Sequence, residues 1–336
     1  MSIRLAVVGA GLIAHSNVPA AIATGDFEIA AICNRTLSKA EAFRDKYGLT
    51  CPVFQDCRAM ADAAEFDAVL IQTPHDLHAE QFCFFAERGK DVVIEKPLAH
   101  DLASARRIVE TVKRTGIRAT VCHTQRYNPL LITAKRFLEE HDCGKLVSAD
   151  DAITYHYFWD GRPQWFVEAD RAGGGIVMNY GVHQLDRLHF ITGGQCGSLF
   201  AHLETEKEGF DVDSSYHITC IGTDGAVWHA TSTGYTNPFS NRIELRFTKG
   251  ILRIVLVKNA LENPGVYWGD TEHDFREIPN VCPGANFYQL EMQAAADYLL
   301  GRTDKPPISV EYAARMVELV ELAKRSAQEN QVVSAE

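Results

Sequence analysis

The sequence predicts an α/β chain of two domains: an N-terminal doubly wound parallel sheet, and a C-terminal α+β domain with a mostly antiparallel sheet. Three observations carry the prediction. The chain has 336 residues, more than one hydrophobic core usually supports. Up to about residue 125 short apolar runs alternate with longer amphipathic ones, the order of successive βα units on a parallel sheet. Beyond residue 145 the pattern changes to period two, the mark of antiparallel strands. The two domains are accordingly expected at residues 1–124 and 125–336.

Five runs rich in Val, Ile or Ala have the composition of strands buried on both faces: Ile3–Val8, Glu28–Cys33, Ala68–Gln72, Asp91–Glu95 and Ile117–Cys122. Between them Ser38–Tyr47, Asp76–Arg88 and Asp101–Thr115 show helical spacing, with Asp101 as an N-cap and Gly89 and Gly116 as terminators. In the second half Ser215–Ile221, Ala226–Ser232, Arg242–Thr248 and Ile251–Val257 carry the two-residue period. Thr223-Asp224-Gly225 and Lys249-Gly250 supply the glycines that tight hairpin turns need. Helices frame this sheet at Asn128–His141, Gly175–Ile191, Tyr288–Leu300 and Val310–Gln328, and the polar stretch Glu204–Asp213 is expected to be a mobile loop.

Composition narrows the function. Hydrophobic residues at 46% and charged residues at 23% exclude a disordered or fibrous chain. A formal net charge of −11 repels nucleic acid and anionic membrane alike, so neither is expected as a partner. The first residues run straight into a strand, which leaves no room for a secretory signal, and no apolar run reaches the length of a membrane span. Nine cysteines, an odd number without a Cys-x-x-Cys pair, fit reduced thiols and a cytoplasmic location.

Directly after the first strand comes Gly9-Ala10-Gly11-Leu12-Ile13-Ala14, a G-x-G-x-x-A sequence that opens into a helical stretch. The first Gly permits a sharp turn, the second lets backbone approach a pyrophosphate, and the small Ala14 allows close helix packing on the sheet. The helix N-terminus then faces phosphate oxygens, with Leu12 and Ile13 in the loop. Pro19 removes one hydrogen bond of that helix, so a kink or a late start is expected. At the end of the second strand an acid would hold the ribose 2′-hydroxyl of NAD. The residues there are Asn34 and Arg35, and a neutral amide followed by a guanidinium suits a 2′-phosphate, so NADP is the preferred cofactor. If Arg35 instead stacks on the adenine or points to solvent, NAD serves equally well.

Two further clusters carry chemistry. Val92-Val93-Ile94-Glu95-Lys96-Pro97 puts a Glu, a Lys and a chain-bending Pro at the carboxyl edge of the parallel sheet, where ligands sit in open α/β folds. Gly173 to Asp186 enters a helix in which Asn179 and His183 are four residues apart and share a face. Together these segments resemble the glucose-fructose oxidoreductase and inositol dehydrogenase family, the Gfo/Idh/MocA family, over nearly the whole chain. Gly9–Ala14 is similar to its dinucleotide loop, Thr73-Pro74 with His78 to its third-strand turn, Glu95-Lys96-Pro97 to its signature triplet, and Gly173–Asp186 to its glycine-rich catalytic helix.

The resemblance implies a Rossmann domain, a C-terminal domain on a large, mostly antiparallel sheet, and hydride transfer at a sugar, polyol or similar small molecule. It also implies Lys96 and His183 as the catalytic pair. That chemistry stands on its own terms: as hydride leaves an alcohol carbon the hydroxyl proton must also leave, which calls for a base of near-neutral pKa such as His183. Lys96 would orient the hydroxyl, stabilise developing oxyanion charge or relay the proton. Many members of the family carry Asp where this chain has Asn179. Asn does not titrate, so it orients the substrate or the imidazole and cannot raise the basicity of His183 by charge. Two alternatives use the same fold: a dinucleotide-binding regulator without chemistry, and a cofactor-dependent lyase or glycosidase.

Arg126, after the fifth long strand, is a candidate for the substrate cleft, with an interdomain ion pair as the equal alternative. Tyr155 and Trp165 offer aromatic faces that stack on sugar rings, although the alternation of Tyr155 and Tyr157 also fits one face of an ordinary strand. The spacings of His75 with His78 and of His183 with His189 join no further ligand cluster, so no metal is expected. The open sheet needs covering on its exposed face, which predicts a homodimer or homotetramer.

Overall fold

The computed structural model describes residues 2–205, 208–235, 238–259 and 262–335. Glu206 and Lys207, within the polar stretch expected to be mobile, lie outside the described residues. The chain divides into two compact units, residues 1–124 with 286–317 and residues 125–285 with 318–336.

The first unit alternates strand and helix: β1 (Ile3–Val8), α1 (Ala14–Thr24), β2 (Phe27–Cys33), α2 (Leu37–Lys46), β3 (Val53–Phe54), α3 (Cys57–Ala63), β4 (Ala68–Ile71), α4 (His78–Ala86), β5 (Asp91–Glu95), α5 (Leu102–Thr115) and β6 (Ala119–Cys122). All pairs are parallel, in the order β3-β2-β1-β4-β5-β6, the doubly wound Rossmann order. Every residue of β4 and β6 is buried, which is why they read as continuous apolar runs. The Asp101 carboxylate accepts from the Ser104 N–H at 2.6 Å and Gly116 closes α5 in the left-handed region. β3 and α3 escape the periodicity because two and seven residues are too few to display one.

α1 begins at Ala14 and runs through Pro19 to Thr24. The His15 carbonyl, which an N–H at position 19 would otherwise engage, lies 3.4 Å from the Tyr47 hydroxyl on the chain after α2. The chain returns to this unit late. α9 (Phe287–Leu299), capped by Asn286, lies against α1, and its Met292, Ala295 and Ala296 share one core with Ala14, Val18 and Ala21. Burying a side chain the size of Met292 stabilises by roughly 1.5–3 kcal/mol. A single division after residue 124 leaves this return out, because the apolar stripe of α9 does not state which sheet it will cover.

The second unit contains α6 (Pro129–Glu140), β7 (Leu146–Thr154), the single turn α7 (Ala169–Ala172), α8 (Val182–Thr192), β8 (Cys196–Glu204), β9 (Ser215–Gly222), β10 (Val227–Thr233), β11 (Ser240–Phe247), β12 (Gly250–Val255), β13 (Gly265–Asp270), β14 (Arg276–Ile278) and β15 (Val333–Ser334). α10 (Val310–Glu329) carries the chain from the first unit into this one. The strands form one sheet in the order β14-β13-β12-β11-β7-β10-β9-β8-β15, antiparallel except where β7 and β10 run parallel. The turn at Thr223–Gly225 joins β9 to β10, and the one at Lys249 joins β11 to β12.

The stretch Gly175–Ile191, expected as one continuous helix, is instead a π-helical turn over Val177–Gly181 followed by α8. Both ends of the segment are anchored. Asp213 holds the start through three backbone N–H groups, and on α8 the Gln184 amide and the Arg187 guanidinium bind Asp151 of β7. A wider turn takes up the residues between the anchors, a device frequent at functional sites.

Candidate active site

At the carboxyl edge of the parallel sheet Gly9 has φ +99°, and a Cβ there would stand 2.6 Å from the Gln72 carbonyl oxygen, so β1 and β4 approach too closely for any side chain. Gly11 differs: a Cβ there would meet nothing within 4 Å. No protein neighbour demands glycine at that position, which leaves the space for something else. Ile13 occupies the N-cap of α1 without a side-chain cap, and no acidic residue lies in the first turn. The Ala14, His15 and Ser16 N–H groups turn back onto the Gly11, Leu12 and Ile13 carbonyls, so the helix opens on a tight turn whose positive dipole end no side chain of the first turn neutralises, the arrangement that receives a pyrophosphate. Leu12 is 66% exposed beside them. These residues fit a dinucleotide.

Asn34 accepts from the Ala10 N–H at 3.1 Å and donates to the Thr36 carbonyl at 2.9 Å, so it braces the glycine loop from the end of β2. Arg35 next to it is exposed. A buried network then joins the loop to the triplet on β5. The Asn17 amide of α1 donates to Glu95 Oε1 at 2.7 Å and to Gln72 Oε1 at 3.1 Å, and the Gln72 amide donates to the Gly9 carbonyl at 3.1 Å. Glu95 is buried, which raises its pKa, while the Lys96 charge, the Asn17 amide and the Lys96 N–H at 3.1 Å act the other way. Lys96 itself is half-buried and precedes a cis Pro97.

Thr73 and Pro74 are half-buried on the turn after β4, where the Thr73 hydroxyl donates to Gln81 Oε1 at 2.6 Å. His78 has no exposed surface. Its Nε2 lies 2.9 Å from the Thr73 carbonyl oxygen and its Nδ1 2.9 Å from that of Pro97, so the ring ties two edge loops together. Burial pulls its pKa down to about 4 against the hydrogen bonds to those carbonyls. Its path to a cofactor is through the loops it holds.

In the second unit the Asp213 carboxylate accepts from the Gly175 N–H at 2.6 Å and the Val177 N–H at 2.7 Å, and its carbonyl accepts from the Ile176 N–H at 3.2 Å. A Cβ at Gly175 would fall 2.0 Å from that carbonyl oxygen, so the approach requires glycine. Asn179, on the π turn, hydrogen-bonds the buried Tyr157 hydroxyl, and His183 follows in the first turn of α8, buried. The Tyr157 hydroxyl also donates to the Phe166 carbonyl at 3.2 Å, and Arg162 lies over its ring at 3.7 Å. Burial pushes the Tyr157 phenol up to about 12, with Arg162 and Asn179 opposing.

One turn beyond His183, Asp186 is fully buried and pairs with Arg126, at 2.6 Å and 2.8 Å, within this unit. Tyr155 packs on Tyr180 and Phe239, and Trp165 stacks on Phe166 at 3.7 Å between ring centroids. Thus Asn179, His183 and Tyr155, which packs on Tyr180, gather around one helix start, Trp165 connects to it only through Phe166 and Tyr157, and Arg126 reaches the same helix through Asp186. Sequence reasoning missed Asn17, Gln72 and Asp213. Only Asp213 had a signal, and an indirect one: three successive glycines at 173–175 imply that some other backbone comes close.

Among the described residues no group of three or more His, Cys, Asp or Glu is placed to hold a metal ion, and no helix is long and apolar enough to cross a membrane.

Residues 3–123 match the oxidoreductase family with an NAD-binding Rossmann fold, and residues 131–253 match the Gfo/Idh/MocA C-terminal domain. Inositol 2-dehydrogenase of Rhizobium meliloti (strain 1021) is 26% identical over 74% of each chain. D-glucoside 3-dehydrogenase of Escherichia coli (strain K12) is 28% identical over 57% of this chain and 54% of its own length, so the match spans about half of that relative. Among solved structures, an oxidoreductase domain protein from Kribbella flavida superposes with a TM-score of 0.90 at 20% identity, covering 100% of both chains. Levoglucosan dehydrogenase in complex with NADH gives a TM-score of 0.90 at 19% identity, again over 100% of both. At such identities the structures speak for the fold, and the two family matches, adjoining along the sequence, speak for descent: the chain belongs to the Gfo/Idh/MocA oxidoreductase family.

Proposed function

We propose that the chain is an NAD(P)-dependent oxidoreductase that moves hydride between nicotinamide and a sugar, sugar derivative, inositol or related small alcohol or carbonyl. Residues of 1–124 hold the cofactor and residues of 125–336 the substrate. The observation that carries the proposal is the uncapped start of α1 behind an open Gly11, tied through Asn17 to the Glu95 beside Lys96. When bound, the nicotinamide supplies the hydride acceptor or donor. His183 takes up the hydroxyl proton of an alcohol substrate, or returns it to a carbonyl. Lys96 holds the reacting oxygen and steadies its charge. Asn179, donating to a phenol on one side, orients the substrate without titrating. Arg126, Tyr155 and Trp165 shape the substrate side.

NADP is the preferred cofactor. The Asn34 amide is committed to Ala10 and Thr36, the end of β2 carries no carboxylate, and an exposed Arg35 beside it would offer a guanidinium to a 2′-phosphate. A homodimer or homotetramer in the cytoplasm completes the proposal: Phe200 and Ile221 remain 39% and 48% exposed on neighbouring strands β8 and β9, apolar surface that a second copy would cover. The test is a panel of sugars and polyols assayed with NAD⁺ and NADP⁺ by nicotinamide absorbance. Turnover with one class of polyol is expected; tight dinucleotide binding without turnover on any member would replace the enzyme by a sensor.

A further inference from the structure

Two thiols touch in the first unit, at the end of β2 and the start of α3. Cys33 Sγ and Cys57 Sγ are 3.6 Å apart. Cys33 closes β2 and is buried, whereas Cys57 opens α3 and is partly exposed. Cys57 follows Asp56, whose carboxylate caps α3 by accepting from the Arg58 and Ala59 N–H groups. The hydrogen bond between the sulfurs lowers the Cys57 thiol, with burial and Asp56 opposing; the same bond and burial raise Cys33. The partly exposed sulfur is therefore the more readily ionised of the two, and the buried one the less. A disulfide needs about 2.05 Å between sulfurs, so closing this gap moves them together by roughly 1.5 Å.

We propose that Cys33 and Cys57 form a peroxide-reactive dithiol whose closure to a disulfide weakens dinucleotide binding. The Cys57 thiolate attacks one oxygen of hydrogen peroxide and breaks the O–O bond. The sulfur becomes a sulfenic acid, and the departing hydroxide takes up the proton that Cys57 had given to solvent, leaving as water. Cys33 then attacks the sulfenic sulfur; the S–S bond forms and the hydroxyl leaves with the Cys33 proton as a second water. Two thiols lose two electrons and one peroxide gains them. The consequence for binding rests on the functional reading above. Asn34 follows Cys33 directly and holds the Ala10 N–H of the glycine loop at 3.1 Å, with Arg35 next in line. Drawing Cys33 toward α3 pulls the end of β2 away from that loop.

The full chain is treated with hydrogen peroxide, its remaining thiols are blocked with N-ethylmaleimide, and the digest is mapped by mass spectrometry. NADP⁺ binding is measured by calorimetry before oxidation, after it, and after dithiothreitol. A Cys33–Cys57 peptide pair is expected. Affinity should fall on the order of tenfold, the usual size of coupling between neighbouring sites, and return with dithiothreitol. Cys57→Ser should show neither effect. A sulfinic Cys57 beside a blocked but unoxidised Cys33 overturns the dithiol, and a mapped disulfide with unaltered affinity overturns its consequence. Equal loss of binding in peroxide-treated Cys57→Ser overturns the consequence too. A reduced chain that binds no dinucleotide defeats the functional reading and the affinity clause with it, whereas the peptide map still decides the chemistry of the two sulfurs.

Discussion

The Asn17 carboxamide lies 2.7 Å from Glu95 Oε1, a bond between the first helix and the fifth strand of the Rossmann unit. Through Gln72 the same amide reaches the Gly9 carbonyl. The residue beside Lys96 and the glycine loop proposed to receive the pyrophosphate are thus held by one side chain. Replacing Asn17 by Leu leaves a buried carboxylate short of a donor and should cost about 1–3 kcal/mol of stability. Chemical denaturation measures that loss, and dinucleotide titration should show weaker binding in the same variant.

Lys96→Met and His183→Ala are each expected to lower kcat by about a hundred- to ten-thousandfold, the range for a positioned proton-transfer group. Steady-state kinetics with the best substrate of the panel checks this. Dinucleotide affinity should survive in His183→Ala, and near-normal turnover in both variants would remove the pair from the mechanism.

Arg35→Ala should weaken NADP⁺ binding by about ten- to 150-fold while leaving NAD⁺ unchanged, since loss of one charge-assisted contact to phosphate is worth on the order of 1.5–3 kcal/mol. Equal effects on both cofactors would return Arg35 to the adenine face or to solvent.

Asp213 should matter to catalysis without touching substrate. Asp213→Asn keeps one acceptor but turns an amide toward an N–H it formerly received. The π turn should loosen, kcat should fall more than KM rises, and stability should drop by about 2 kcal/mol. Gly175→Ala, whose Cβ would stand 2.0 Å from the Asp213 carbonyl oxygen, should reproduce the kinetic effect; a variant that unfolds at the wild-type temperature with wild-type kcat would contradict both.

His78 makes the fold sensitive to acid. Its folded pKa is about 4, below the ordinary 6.5, because the ring is buried. Above pH 6.5 both states leave it neutral and its contribution is complete. As pH falls from 6.5 toward 4 the unfolded chain takes up the proton first, so stability is lost across that window, by about 3 kcal/mol at its lower end. Denaturation of His78→Asn between pH 7 and pH 4.5 should show a shallower decline than wild type; parallel declines would assign the sensitivity to other groups.

The sequence spoke clearly where the physics is local and periodic. Strands buried on both faces, such as Ala68–Ile71, read as apolar runs; Asp101 and Gly116 marked the ends of α5; Gly225 marked a hairpin. It was silent where the physics is long-range. Nothing near Asp213 says that its carboxylate will cap a helix 36 residues earlier, and nothing near Arg187 announces a buried ion pair with Asp151. The glycine motif was legible, yet its two glycines answer different demands, one to a neighbouring carbonyl and one to open space, and only packing separates them. The helix holding Asn179 and His183 was legible as a helix, but the wider turn depends on anchors from one distant loop and one distant strand, Asp213 and Asp151.

The return of α9 onto α1 bears on how the chain is made. A ribosome that has released the first 124 residues has delivered a complete parallel sheet, but Val18 and Ala21 still lack the Met292, Ala295 and Ala296 that will cover them. The nucleotide half cannot finish folding until Ala296 has left the ribosome, and a gene fragment cut after residue 124 yields a polypeptide with a greasy, aggregation-prone flank.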